Sequence, residues 1–179
     1  SIEAGDTSNE KWHFGKTAAP RHIHWMKNTP TGKSAYDNDF DPELGLYQCH
    51  PVIEDKDTQK IRSIHGFKST YKRMEWDQPA PTIGMTNGSI NSQNNVHPGR
   101  LNSDGTYSDA RVLSITELLI LCGIEENFLD NFHCDPKQKD INYVNENFLR
   151  RVIGECFPPK FCASIIASLP KINKDNNEL

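Results

Sequence analysis

The sequence predicts an α+β fold: an irregular small domain with short strands, followed by C-terminal helices. Three observations point there. Residues 1–111 are rich in turn residues and aromatics, with no sustained helical repeat. Ser114-Ile115-Thr116-Glu117 then forms a capping box, in which the serine oxygen takes an amide of the first turn and the glutamate returns to the serine N–H. Beyond it, apolar residues recur at helical spacing over 148–153 and 161–169.

In order along the chain, residues 1–60 hold the runs Trp12-His13-Phe14 and His22-Ile23-His24-Trp25-Met26. Turn signals follow at Pro30, Gly32 and Pro42, so short strands joined by loops are expected. Phe67 to Trp76 reads as an aromatic-rich strand, Asp77 to Pro81 as a rigid bend, and Thr82 to Thr86 as a further short strand. Asn87 to Asn95, NGSINSQNN, has one apolar side chain and reads as a surface loop. Leu118, Leu119, Leu121 and Cys122 supply the buried stripe of a first helix that Gly123 stops. A second helix is expected over 143–153, ended by Gly154, and a third from Pro158-Pro159, where proline in the first turn loses no hydrogen bond. The tail after Pro170 is expected to fray.

The 179 residues suffice for one ordinary domain or a small domain with an extension. A 35% apolar content supports a modest core, and a mean hydropathy of -0.70 argues for long loops. No stretch approaches bilayer-spanning length and no charged leader precedes an apolar run, so a soluble, cytoplasmic protein is expected. The five cysteines, Cys49, Cys122, Cys134, Cys156 and Cys162, form no CxxC pair, and no metal site is expected. Thr29-Pro30-Thr31-Gly32-Lys33-Ser34 imitates a phosphate-binding loop but has Lys27 where that loop needs glycine.

The net charge of -4 is unevenly distributed. Residues 1–36, 61–111 and 150–179 each carry +2, whereas 37–60 and 112–149 each carry -5. Such blocks can fold into a basic face with an acidic reverse, which allows nucleic-acid binding. In an extended segment Lys68 and Lys72 face one way and Arg73 the other. That basic face either meets phosphates or is a solvated sheet surface. The 87–95 loop is either an ordinary polar loop or a reader of base edges, since Asn and Gln offer a donor and an acceptor together.

Three blocks carry a family resemblance. YKRMEWDQPAPTIGMTNG at 71–88 resembles the target-recognition region of DNA cytosine-5 methyltransferases, with Pro81 and Thr82 in its Pro-x-Pro-Thr-Ile core. HPGR and then ARVLSITELLILCGI at 110–124 resemble the family's ninth motif through Arg111, Leu113, Ser114 and Glu117, with Thr116 where arginine is usual. RRVIGECFPPKFCASIIASL at 150–169 resembles its tenth motif through Gly154, Pro158 and Pro159, with Glu155 in place of asparagine and Phe157 in place of valine.

The resemblance implies a division of the chain. Residues 1–111 would be the target-recognition domain, 112–139 the ninth-motif helix and linker, and 140–169 the tenth-motif helices. Those helices would pack, weakly anchored here, on a Rossmann-like S-adenosylmethionine-dependent domain absent from this chain; 170–179 would be a flexible tail. Gly154, Glu155 and Cys156 would lie beside the cofactor. Asn87, Ser89, Asn91, Ser92, Gln93, Asn94 and Asn95 would form the recognition loop, with Lys68, Lys72, Arg73 and Arg100 as positioning or structural groups. Pro81, Thr82, Arg111, Ser114, Glu117, Pro158 and Pro159 would be structural. The family's Pro-Cys nucleophile has no counterpart, since none of the five cysteines follows a proline. The chain alone is therefore expected to be inactive and to act with double-stranded DNA and a catalytic domain or subunit carried elsewhere, in a restriction–modification setting. The alternative is a stand-alone, non-catalytic DNA-binding or regulatory protein derived from this family.

Overall fold

The computed structural model describes residues 2–6, 12–129 and 145–169. The expected tail, and most of the segment between the first and second expected helices, lie outside the described residues. The described chain is mixed, with four α-helices, three short 3-10 segments and a two-stranded sheet. None of its helices is long and apolar enough to cross a membrane.

The first helix, α1 (Pro20–Lys27), stands where short strands were expected. Pro20 in the first turn pre-sets the backbone, and Trp25 and Met26 are wholly buried. No side chain caps its start, so the usual sequence signal is missing. Its C-terminus is held by Arg73, which donates through Nε and Nη2 to Met26 O at 3.1 and 2.7 Å. A cation at that end also suits the helix dipole.

β1 (Val52–Glu54) pairs antiparallel with β2 (Ile61–Ser63), in the register Val52 to Ser63 and Glu54 to Ile61. The strands expected over 67–76 and 82–86 are absent. Instead, isolated bridges link Ser34 to Lys72, Arg73 to Val96, and Val96 to Val112. Tyr71 explains the first departure: its φ of 48° breaks the extended chain while its ring packs at 5.4 Å from Trp25 and 5.8 Å from Tyr36. Around this lattice Trp25, Met26, Tyr71, Ile90, Val96 and Val112 make one core.

The capping box forms as the sequence predicts and opens α2 (Ile115–Cys122). Ser114 Oγ accepts from Glu117 N at 3.2 Å and Glu117 Oε2 accepts from Ser114 N at 2.7 Å. Gly123, at φ 64°, closes the helix in the left-handed conformation. The next helix, α3 (Glu146–Glu155), is capped by Asn145 and buries Leu149, Arg150 and Ile153. With Trp12, Met74, Leu113, Ile115, Leu118 and Leu119, its apolar residues form the second core. The helix runs through Gly154 rather than ending there. α4 (Pro159–Ser168) begins at the proline pair as expected and buries nothing. Phe157, Phe161, Ile165, Ile166 and Leu169 are all exposed. Weak anchoring thus describes α4, whereas α3 is part of the core.

Candidate nucleic-acid interface and the tenth-motif turn

Three buried arginines build the scaffold under the candidate interface. Arg73 is 0% exposed. Besides Met26 O it donates to His97 O at 2.7 Å and Asp109 O at 3.2 Å, and burial pushes its pKa down to about 10 against the pull of Asp109. Of the two roles expected for it, positioning or structural, the guanidinium is placed in the structural one, spent on backbone carbonyls inside the domain. Residue 73 does point away from the exposed Lys68, but the extended strand that predicts this alternation breaks at Tyr71.

Arg111 uses every N–H it has. It forks onto Glu117 at 2.8 and 3.0 Å, meets Asp109 Oδ1 at 2.9 Å, and donates to Ile2 O and Val112 O. Burial tends to raise the Glu117 carboxyl, but the Arg111 fork, its charge and the Ser114 N–H overcome that and hold it at about 2. His97 lies 3.7 Å from Glu117 and 3.9 Å from Asp109, and burial lowers its pKa despite both carboxylates.

Arg150 is the third. Its Nε meets Glu146 at 2.6 Å, Nη2 donates to Leu113 O at 2.7 Å, and Nη1 to Asn87 Oδ1 at 3.2 Å. Asn87 in turn donates to Arg150 O at 2.8 Å and Gly84 O at 2.7 Å. One guanidinium therefore joins the 71–88, 110–124 and 150–169 blocks.

The 87–95 segment is a chain of turns, and its polar residues divide into two sets. Asn87 and Asn95 are buried, and Asn95 Nδ2 donates to Asn87 O at 3.2 Å and Ser89 O at 2.5 Å. Both, expected as base readers, are placed inside the loop, where their amides brace its backbone. Ser92 is half-buried and donates to Thr86 O at 2.6 Å, and Asn94, also half-buried, takes φ 46° and donates its backbone N–H to Ser69 O at 2.8 Å. Ser89, Asn91 and Gln93 are exposed, with Ser89 Oγ donating to Asn91 Oδ1. Composition could not separate these sets, because the same amide serves a buried brace and an exposed reader.

Of the basic candidates, Lys68 is exposed and pairs with Asp37, Lys72 is half-buried, and Arg100 is exposed with its guanidinium 4.8 Å from the Trp76 ring centre. Trp76 is itself tied by Nε1 to Gly99 O at 2.8 Å. The Lys68 hydrogen bond, together with the charges of Lys68 and Lys33, keeps Asp37 below the usual carboxylate range. Lys33, read in sequence only as part of a false phosphate loop, thus belongs to the same charged neighbourhood. Pro81 is half-buried and Thr82 exposed on the approach to the loop.

At the tenth-motif turn, Gly154 permits close packing: a Cβ there would come within 2.5 Å of Gly84 O. Gly154→Ala is expected to destabilise the fold by about 1–3 kcal/mol through overpacking, read as a lower denaturant midpoint at unchanged m. Glu155 is exposed and paired with Arg151 at 2.9 Å, while the Cys156 thiol turns back to Ile153 O at 3.1 Å. Pro158 is half-buried and Pro159 exposed at the start of α4. The 84–85 backbone thus fills the space over Gly154, and the polar groups of Glu155 and Cys156 are bonded locally at an exposed turn.

No family model and no solved structure matches the chain. Over 165 residues, 92% of its length, the chain is 41% identical to the type II methyltransferase M1.HgaI of Avibacterium volantium. The chain is therefore similar to a type II methyltransferase over almost all of its own length. This agrees with the resemblance that blocks 71–88, 110–124 and 150–169 bear to DNA cytosine-5 methyltransferases. The chain spans 40% of that relative's length.

Proposed function

We propose that this chain is the target-recognition and cofactor-side C-terminal part of a DNA (cytosine-5-)-methyltransferase, which moves a methyl group from S-adenosylmethionine to C5 of cytosine in duplex DNA. The observation that carries the reading is the convergence of the three motif blocks on Arg150. The likeness to a type II methyltransferase over almost the whole chain supports it. In this division the nucleophilic cysteine, the base pocket and most of the cofactor site come from the rest of the enzyme, a cytoplasmic protein of a restriction–modification system.

The chain's own residues position the DNA. Arg73, Asn87 and Asn95 fix the backbone under the recognition loop, so the exposed Ser89, Asn91 and Gln93 are held ready to meet base edges. Lys68, Lys72 and Arg100 meet phosphates and set register without reading sequence. The turn at 154–156 lies on the cofactor side of the complete enzyme, and α4 covers part of its catalytic domain with the apolar residues exposed here. Duplex DNA hides the target carbon in the stack, so the cytosine is turned out into the catalytic pocket before it reacts.

The division is tested by transfer of labelled methyl groups to plasmid DNA. The chain alone is expected to transfer none, and addition of the remainder of the enzyme as a second polypeptide to restore transfer. Transfer by the chain alone, or none by the intact enzyme, contradicts the proposal.

A further inference from the structure

We propose that Phe67 is a nucleobase contact: the turn that carries it sets the ring against the bases of bound duplex DNA beside the 89–93 loop. The inference rests on the target-recognition reading above. Phe67 is 78% exposed. Its aromatic face is therefore open to a ligand, and its neighbours decide which.

The turn that presents the ring is hydrogen-bonded. Thr70 donates to Phe67 O from its backbone N–H at 2.9 Å and from Oγ1 at 2.8 Å, closing the turn. Gly66 lets the chain run against Tyr36, where a Cβ would strike the phenol ring, and Tyr36 is itself packed edge-on to Tyr71 at 5.8 Å. The backbone that carries the ring is thus tied to the core.

The neighbours identify the occupant. Ser69 O accepts from Asn94 N at 2.8 Å, so the Phe67 turn is tied directly to the recognition loop. Lys68 follows Phe67 in the chain and pairs with Asp37, the charge of Lys33 also reaches Asp37, and Lys72 bridges Ser34 on the adjoining segment. A protein-binding surface centres on several apolar side chains and is poor in lysine. One exposed ring among lysines and neutral amides suits a phosphate backbone with bases between its strands. An aromatic ring there contacts a thymine methyl group or the face of a partly unstacked base.

The test uses the intact enzyme and a duplex oligonucleotide carrying a site that bisulfite sequencing shows it to methylate. Phe67→Ala is expected to weaken binding about tenfold or more, with the salt dependence of affinity unchanged because no phosphate contact is lost. Phe67→Trp is expected to bind within about twofold of the wild type, and both variants to keep the melting temperature of the DNA-free enzyme. Affinity of Phe67→Ala within about twofold of wild type overturns the proposal. So does a fall in melting temperature, which assigns the ring to a protein contact. An intact enzyme that methylates no cytosine overturns the target-recognition reading and this inference together, whereas normal methylation with unaltered Phe67→Ala binding removes the Phe67 contact alone.

Discussion

Arg150→Ala is expected to lower stability by about 3–5 kcal/mol, the cost of breaking a buried, hydrogen-bonded ion pair from one side. The side chain is 1% exposed and meets Glu146, Leu113 O and Asn87 Oδ1 together. Truncation leaves the Leu113 carbonyl without this donor inside the protein, and an unmade buried hydrogen bond adds to the penalty. The damage spreads, because Asn87 both accepts from Arg150 and braces the start of the recognition loop. Urea unfolding reads the loss as a lower midpoint. In the intact enzyme, discrimination between specific and non-specific duplex should fall as well. Arg150→Lys keeps the charge but not the fork, and is expected to recover less than half of the loss.

Acidification supplies the second large effect. The Glu117 carboxyl is held at about 2 in the folded chain against 4.5 for the ordinary group. A depressed folded pKa means that the unfolded chain binds the proton first. The Glu117 contribution is therefore complete above about pH 5, shrinks as pH falls through 4.5, and is gone near pH 2. The separation of the two values corresponds to about 3 kcal/mol. Glu117→Gln removes that dependence, so the stability gap between wild type and variant should be widest at neutral pH and close by about that amount on acidification. Paired denaturant titrations at pH 7 and pH 3 read about 2 kcal/mol of that closing, most of the whole. A gap that widens in acid contradicts the Arg111–Glu117 arrangement.

The C-terminal half was the more legible part of the sequence because its signals are local. A capping box, a glycine stop and a proline start depend on a few adjacent residues, and α2 and α4 formed where those signals lay. α1 lacks a capping side chain and is eight residues long, so the aromatic run at 22–26 read as strand. The expected strand over 67–76 failed at Tyr71, whose left-handed backbone is imposed by distant rings and not by its neighbours in sequence. Gly154 read as a helix stop, but its lack of a side chain serves the approach of the 84–85 backbone, a partner about seventy residues away. In the candidate interface, residue type identified the loop and one basic face. Burial then divided it: Arg73, Asn87 and Asn95 turned inward, whereas Ser89, Asn91 and Gln93 remained at the surface.

The central claim, that this chain selects the DNA sequence on which a methyltransferase acts, is tested most directly by exchanging the exposed residues of the loop. In the intact enzyme Ser89, Asn91 and Gln93 are replaced together by alanine, and methylated cytosines are mapped by bisulfite sequencing of plasmid DNA. The buried braces are left in place, so the fold is retained. The expected result is methylation that continues at relaxed or shifted sites, with each lost base contact changing discrimination by about 1–3 kcal/mol. Methylation of the same sites with the same preference contradicts the claim.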